Sequence, residues 1–412
     1  MSTDPVVIVG AGHGGVQCAA SLREAHYRGP VVLVCDEPHW PYQRPPLSKA
    51  YLKGTATRDG LALRGPDFFA GQGIETHFGD KAVRIDRLSK TVHFASSRTV
   101  SYGHLVLATG ARARPAPFPG MDLAGVTTLR NLDDADRLRA HLGEAKNVVI
   151  VGAGFIGLEF AATAALSGKN VTVVEAAPRV MGRAVSPPLS HFFADAHRAF
   201  GATLHMHTFV SALNGADGRV KSVALNTGAE IPADLVVVGI GVLAEDALAH
   251  ECGLECGDGI SVDERMLTSD PDISAIGDCA FHPNIWSGGH ARLESVQNAT
   301  DQARVVAKRL AGGDMTYNAL PWFWSDQGDL KLQIAGLLRD ADLFVTRGDP
   351  QTRAFSIFAF AGPTLRAVES VNRGGEHMAA RRIVAEGLPL SAEQAADPAF
   401  DLKALAMGRA KA

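Results

Sequence analysis

The heptapeptide VVIVGAG occurs twice in this chain, at Val6–Gly12 and again at Val148–Gly154. Each copy is an apolar, mostly β-branched run that stops at glycines. Each continues into a helix-forming stretch, GAGHGGVQCAASL in the first and GAGFIGLEFAATAAL in the second. Both fit Gly-x-Gly-x-x-Gly, through Gly10, Gly12 and Gly15 and through Gly152, Gly154 and Gly157. The first glycine makes a tight strand-to-helix turn. The second has no Cβ and lets a pyrophosphate approach the backbone. The third lets helix and strand pack closely. The helix N-terminus then presents free N–H groups and the positive end of its dipole to the phosphates.

A second apolar run follows each helix, VVLVCDE at Val31–Glu37 and VTVVEAA at Val171–Ala177. Each supplies an acid where a ribose-hydroxyl ligand is expected, Asp36 or Glu37 in the first copy and Glu175 in the second. The sequence therefore predicts an α/β protein with two Rossmann-like dinucleotide-binding domains. Two such sites imply two dinucleotides; one can be a bound flavin and the other a pyridine nucleotide that reduces it.

Composition removes other classes. A formal net charge of −4 and the lack of a long basic run argue against nucleic-acid binding. The 5 cysteines, Cys18, Cys35, Cys252, Cys256 and Cys279, are scattered, as expected of free thiols in a reducing compartment. Cys252 and Cys256 have no second Cys/His pair, so no metal site is expected. The N-terminus lacks a basic leader region, and Val148–Leu166 is broken by its Gly-rich turn and carries Glu159. A cytoplasmic chain without membrane spans is expected.

Two further strand-like runs end in Ala-Thr-Gly, within SYGHLVLATGARARP (Ser101–Pro115), and in Gly277-Asp278, within TSDPDISAIGDCA (Thr268–Ala280). With the N-terminal cradle, they resemble the FAD/NAD(P)-linked reductases of glutathione-reductase-like architecture. The resemblance implies that Asp278 binds the flavin ribityl chain; from the residues alone it could instead cap the next helix. The disulfide reductases of that fold keep a redox cysteine pair soon after the first cradle. Here that place holds PYQRPPLSKAYL (Pro41–Leu52), with no cysteine.

Together with TLRNLDDADRL (Thr128–Leu138) and PWFWSDQ (Pro321–Gln327), this segment resembles the ferredoxin reductases of bacterial oxygenase systems. The resemblance implies FAD contacts at Gly12, Gly15, Asp36, Lys49, Val83, Arg130, Asp278 and Val296. It implies nucleotide contacts at Gly154, Ile156, Glu159, Glu175 and Gly241. Lys49 would stabilise reduced flavin, Glu159 would pair with Lys49 and meet the nicotinamide, and Trp324 would lie at the flavin edge. Glu159 is read as a first-turn helix acid favoured by the dipole, and His13 as a turn cap rather than a phosphate ligand. Glu175 implies NADH over NADPH, which the nearby Arg179 and Arg183 could soften. The implied partner is a separate [2Fe–2S] ferredoxin, because the chain has no Fe–S ligand set. Arg304, Lys308 and Arg309 offer it a basic face. A monomer is expected. A same-fold alternative is a slow FAD/NADH sensing or binding protein of the apoptosis-inducing-factor type.

The expected domains are an FAD domain at residues 1–112 and 243–318, an NAD domain at 113–242, and a C-terminal α+β domain at 319–412. The last is read as antiparallel strands followed by a helix after Gly374, with a tail from Ala396 that frays or packs at a surface.

Overall fold

The computed structural model describes residues 4–408. They form two compact units. The first comprises the chain up to Arg44, Arg58–Arg112 and Leu243–Pro321. The second comprises Pro45–Thr57, Ala113–Val242 and the chain from Trp322 onward.

In the first unit, five parallel strands lie in the order Ile273–Ala275, His104–Leu107, Val6–Val9, Val31–Cys35, Ile74–Phe78. The three central strands are almost wholly buried, which is why they read as unbroken apolar runs. Val6–Val9 comes first in sequence but third in space. The chain order reverses there, and the crevice at the carboxyl end of such a strand is where open α/β sheets bind ligands. The helix that follows it, His13–Glu24, packs against Val296–Leu310.

The second unit repeats this plan. Its parallel strands run Ala202–His205, Asn170–Val174, Asn147–Val151, Leu235–Val238, Val126–Thr127, and the second cradle again leaves a central strand. The unit also holds a five-stranded antiparallel sheet ordered Trp322–Gln327, Leu330–Gly336, Thr364–Val371, Ala354–Ala361, Leu343–Asp349. The helix Gly374–Glu386 follows it.

Besides a shift of the last boundary from 318 to Pro321, the compact units divide the chain differently from the expected domains in two places. Pro45–Thr57 clusters with the second unit, not with the rest of 1–112. The antiparallel sheet shares one hydrophobic core with the second parallel sheet: Leu158, Phe160 and Val173 pack in the same cluster as Leu332, Phe355 and Val371. Burying one apolar face of each layer against the other favours this merger over a separate small domain. The tail forms two short helices, Ala392–Ala396 and Leu402–Ala406, and buries Ala395, Leu402 and Ala406. Among the described residues, no helix is long and apolar enough to cross a membrane.

Candidate dinucleotide sites

The two cradles superpose in their local logic. Gly10 N–H donates to Val34 O at 2.8 Å, and Gly152 N–H donates to Val174 O at 2.8 Å. A Cβ on Gly10 would come within 2.2 Å of Ala108 O, and one on Gly152 within 2.3 Å of Gly239 O. A Cβ on Gly15 would meet Gly10 O at 1.9 Å, and one on Gly157 would meet Gly152 O at 2.4 Å. The fold itself requires these four glycines. Gly12 and Gly154 differ. Their φ angles, −75° and −78°, suit any residue, and a Cβ on either would meet nothing within 4 Å. Both are N-caps without a side-chain cap. Open space beside uncapped N–H groups fits a dinucleotide phosphate at each helix start.

Past the cradles the copies diverge. Val9 pairs with Val34 and Val151 with Val174, so Cys35 holds the register place of Glu175. Glu175 accepts from Ala153 N at 2.6 Å and from Ala177 N at 2.8 Å. In the first copy the Cys35 thiol, pushed up to about 11 by burial, faces the backbone N–H groups of Ala11 and Glu37. The acids of the first copy therefore sit one and two residues later. Asp36 is exposed, while Glu37 is held by Tyr42 and by Arg44. Cys35, Asp36 and Glu37 are the one group of potential metal ligands that converges among the described residues.

His13 opens its helix, half buried. Burial, then the Arg44 charge, lowers its pKa to about 4, against an opposing pull from Asp278, so the ring is neutral at pH 7. Asp278 lies in a short 3₁₀ turn, Gly277–Cys279. It does not cap the helix Val296–Leu310, because Ser295 does so by accepting from Asn298 N. Val296 is the first residue of that helix, and Val83 is exposed on the strand Ala82–Asp86.

Arg309 turns inward and donates to Ser274 Oγ at 2.6 Å. It is half buried, and only Arg304 and Lys308 of the expected basic face are exposed. Arg304 is also paired with Asp301.

In the second unit, Ile156 is exposed near the helix start. Gly241 takes φ +101° and accepts from Arg114 N at 3.0 Å. Arg130 lies just before a helix, its N–H donating to Asp134 Oδ2 at 2.9 Å. Lys49 follows a 3₁₀ turn, Pro45–Ser48, and its Nζ lies 2.7 Å from Glu159 Oε2. Glu159 is 4% exposed and accepts from Ser48 Oγ on Oε2 and from Ser325 Oγ on Oε1. Glu159 stands in the second turn of Phe155–Leu166, not the first, so the helix dipole is not what offsets its charge. Lys49 and the two hydroxyls offset it instead. Trp324 is half buried, its ring 5.8 Å from that of Trp322.

Ser48, Ser325, Gln327 and His197 escaped the sequence reading. Ser48 lies within PYQRPPLSKAYL and the strand pair Ser325/Gln327 within PWFWSDQ, where the period-two alternation after Trp324 is the available signal. Nothing in the sequence marked His197.

A model of the family described as pyridine nucleotide-disulphide oxidoreductase matches residues 4–303. The chain belongs to this family. A second model, reductase C-terminal, matches residues 322–406. The pyridine nucleotide-disulphide oxidoreductases use FAD and NAD(P)H, and the architecture is glutathione-reductase-like. Rhodocoxin reductase of Rhodococcus erythropolis is 49% identical over 406 residues, covering 98% of this chain and 95% of the relative. Putidaredoxin reductase of Pseudomonas putida is 39% identical over 408 residues, covering 98% and 96%. The ferredoxin reductase for the CYP199A2 system of Rhodopseudomonas palustris superposes with a TM-score of 0.96 at 49% identity, covering 98% of this chain and 100% of that one. A covalent putidaredoxin reductase–putidaredoxin complex matches with a TM-score of 0.96 at 38% identity, covering 99% of each chain.

Proposed function

We propose that this chain is an NADH-dependent flavoprotein reductase that passes electrons through FAD to a [2Fe–2S] ferredoxin, which feeds a cytochrome P450 or a Rieske oxygenase. The observation that carries this reading is the pair of glycines, Gly12 and Gly154, that neither packing nor backbone conformation requires. Membership of a family of FAD- and NAD(P)H-using oxidoreductases supports a dinucleotide at each cradle.

In this reading the first unit holds FAD. Gly10, Gly12 and Gly15 cradle its pyrophosphate, Asp36 or Glu37 takes the ribose, and Asp278 takes the ribityl chain, with Val83 and Val296 as further contacts. The second unit holds NADH on Gly152, Gly154 and Gly157, with Ile156 and Gly241 beside it and Glu175 on the ribose hydroxyls. FAD, when bound, supplies the step from hydride to single electrons. Lys49 sets an ammonium against the developing negative charge, and the buried Glu159 holds that ammonium in place. Trp324 lines the exit toward the ferredoxin.

The absence of any cysteine in Pro41–Leu52 supports an acceptor outside the chain. Relatives named for rhodocoxin and putidaredoxin support a separate small redox protein as that acceptor. The enzyme works as a cytoplasmic monomer in this reading.

The test is NADH-dependent reduction of a panel of [2Fe–2S] ferredoxins, with cytochrome c as reporter and a rubredoxin as comparison. Turnover with at least one ferredoxin is expected. If NADH bleaches the flavin but no carrier is reduced, the sensing alternative replaces this one. The rubredoxin arm matters because a rubredoxin-NAD(+) reductase of Pseudomonas putida is 39% identical over 367 residues.

A further inference from the structure

In the strand Trp322–Gln327, alternate side chains point to opposite faces. Trp322, Trp324 and Asp326 share one face. Phe323, Ser325 and Gln327 share the other, and the Phe323 ring lies 4.3 Å from that of Phe155, on the helix that carries Glu159. From that inner face a continuous polar chain runs through the core. Ser325 Oγ donates to Glu159 Oε1 at 2.7 Å. Gln327 Nε2 donates to Ser325 Oγ at 3.2 Å. Gln327 Oε1 lies 2.8 Å from His197 Nε2. Ser325, Gln327 and His197 are each 0% exposed.

The direction of every bond follows from the end of the chain. A carboxylate oxygen only accepts, so the one Ser325 proton goes to Glu159. The Ser325 lone pair must then receive the Gln327 amide N–H. That leaves Gln327 Oε1 as an acceptor, so His197 must carry its proton on Nε2. A flipped amide would set Gln327 Oε1 and Glu159 in competition for one hydroxyl proton. Among the described residues, His197 Nδ1 has no hydrogen-bond partner, as expected of the bare lone pair on this tautomer. Burial lowers the pKa of His197, which agrees with a neutral ring. All three donors point the same way, toward Glu159, and aligned hydrogen bonds polarise one another.

We propose that His197, Gln327 and Ser325 form a one-way hydrogen-bond relay that fixes the Glu159 carboxylate, and that they are positioning residues for the NADH half-reaction. The proposal rests on the reading of Glu159 as the partner of Lys49 beside the nicotinamide. The two oxygens of Glu159 divide the work: Oε2 takes Lys49 and Ser48, and Oε1 takes the relay. Without Ser325, no other described residue holds Oε1, the carboxylate is free to turn about its last torsion, and the Lys49 ammonium moves with it. The relay also gives the second half of the WFWSDQ segment a role distinct from that of its tryptophans.

The test uses the FAD-loaded protein under anaerobic stopped flow with NADH. Ser325→Ala should lower the limiting rate of flavin reduction about tenfold, the effect of one lost hydrogen bond to a charged group. Ser325→Thr keeps the hydroxyl and should recover to within about twofold of the parent. Gln327→Met keeps the volume, removes the amide, and should cost about threefold; it carries the same test if Ser325→Ala does not fold. A readout independent of turnover is the ¹⁵N spectrum of labelled histidine. His197 should be a neutral Nε2–H ring, and Gln327→Met should shift that signal. A parental rate in Ser325→Ala, alongside a slowed Glu159→Gln, overturns the relay. So does a His197 protonated on Nδ1. An unchanged rate in Glu159→Gln overturns the underlying reading of Glu159 instead, and that variant alone tells the two failures apart.

Discussion

Lys49 Nζ and Glu159 Oε2 meet at 2.7 Å, with side chains 17% and 5% exposed. The two residues are far apart in sequence, on a turn after two prolines and on the second turn of a Rossmann helix. A pair this far from water is expensive to break, because the remaining charge keeps its desolvation cost. Lys49→Met should destabilise the protein by about 2–3 kcal/mol, less than an isolated buried pair because Ser48 and Ser325 still serve Glu159. Chemical unfolding of Lys49→Met, Glu159→Gln and the double variant measures it. A coupling energy near zero would mean that the pair is incidental.

The glycines separate packing from binding. Gly12→Ala and Gly154→Ala should leave the apoprotein close to parental stability, since each new methyl enters open space. Gly12→Ala should lose FAD on desalting. Gly154→Ala should keep FAD but raise KM for NADH by about tenfold or more. Gly10→Ala and Gly15→Ala should instead fail to accumulate as folded protein, because their methyls collide with backbone oxygens. Thermal melts of the apoproteins and flavin absorbance after gel filtration distinguish the two classes.

Glu369, fully buried on the antiparallel sheet, accepts from Ser186 N at 2.9 Å and from Ser186 Oγ. Burial raises its pKa from 4.5 to about 7. The folded protein therefore holds a proton there that the unfolded chain has already released between about pH 4.5 and 7. The contribution of Glu369 to stability is full below that window, falls as pH rises through it, and is flat above. Glu369→Gln should remove this slope. The stability difference between parent and variant should change by roughly 3 kcal/mol in favour of the variant from pH 4 to pH 8. Chemical unfolding of both proteins at the two pH values checks it; a parallel pair of curves would contradict the buried acid.

Glu175 is the acid proposed to meet the nucleotide ribose, and both of its oxygens accept backbone N–H bonds at 2.6 and 2.8 Å. A fixed carboxylate there opposes a 2′-phosphate. NADH should exceed NADPH in kcat/KM by about two orders of magnitude, and Glu175→Ala should shrink that ratio toward about ten. Near-equal values for the parent would refute the assignment.

Trp324→Ala should slow ferredoxin reduction about tenfold while changing ferricyanide reduction less than about twofold, since only the protein acceptor depends on the exit route. Equal losses would place Trp324 in the core packing and nothing more.

The sequence by itself determined the two cradles, the strands on either side of them and the kind of ligand they suit. Those features are local. A glycine that a turn or a close backbone approach demands leaves its mark within a few residues, and a strand buried on both faces has no polar positions. The antiparallel sheet and the helix after Gly374 were legible for the same reason. The order of the acids after the first cradle was not settled in this way, because Asp36 and Glu37 differ only in what Tyr42 and Arg44 do to Glu37.

Only the tertiary structure decided which polar residues share the core of the second unit. Ser48, Lys49, Glu159, His197, Ser325 and Gln327 come from four separate stretches of chain, and no spacing rule links them. Their meeting follows from the antiparallel sheet and the Pro45–Ser48 turn both packing against the helix Phe155–Leu166. Once buried together, each donor and acceptor must find its partner inside the protein, since water is not there to supply one. In the first unit, likewise, only the tertiary structure turned Arg309 of the helix Val296–Leu310 toward Ser274.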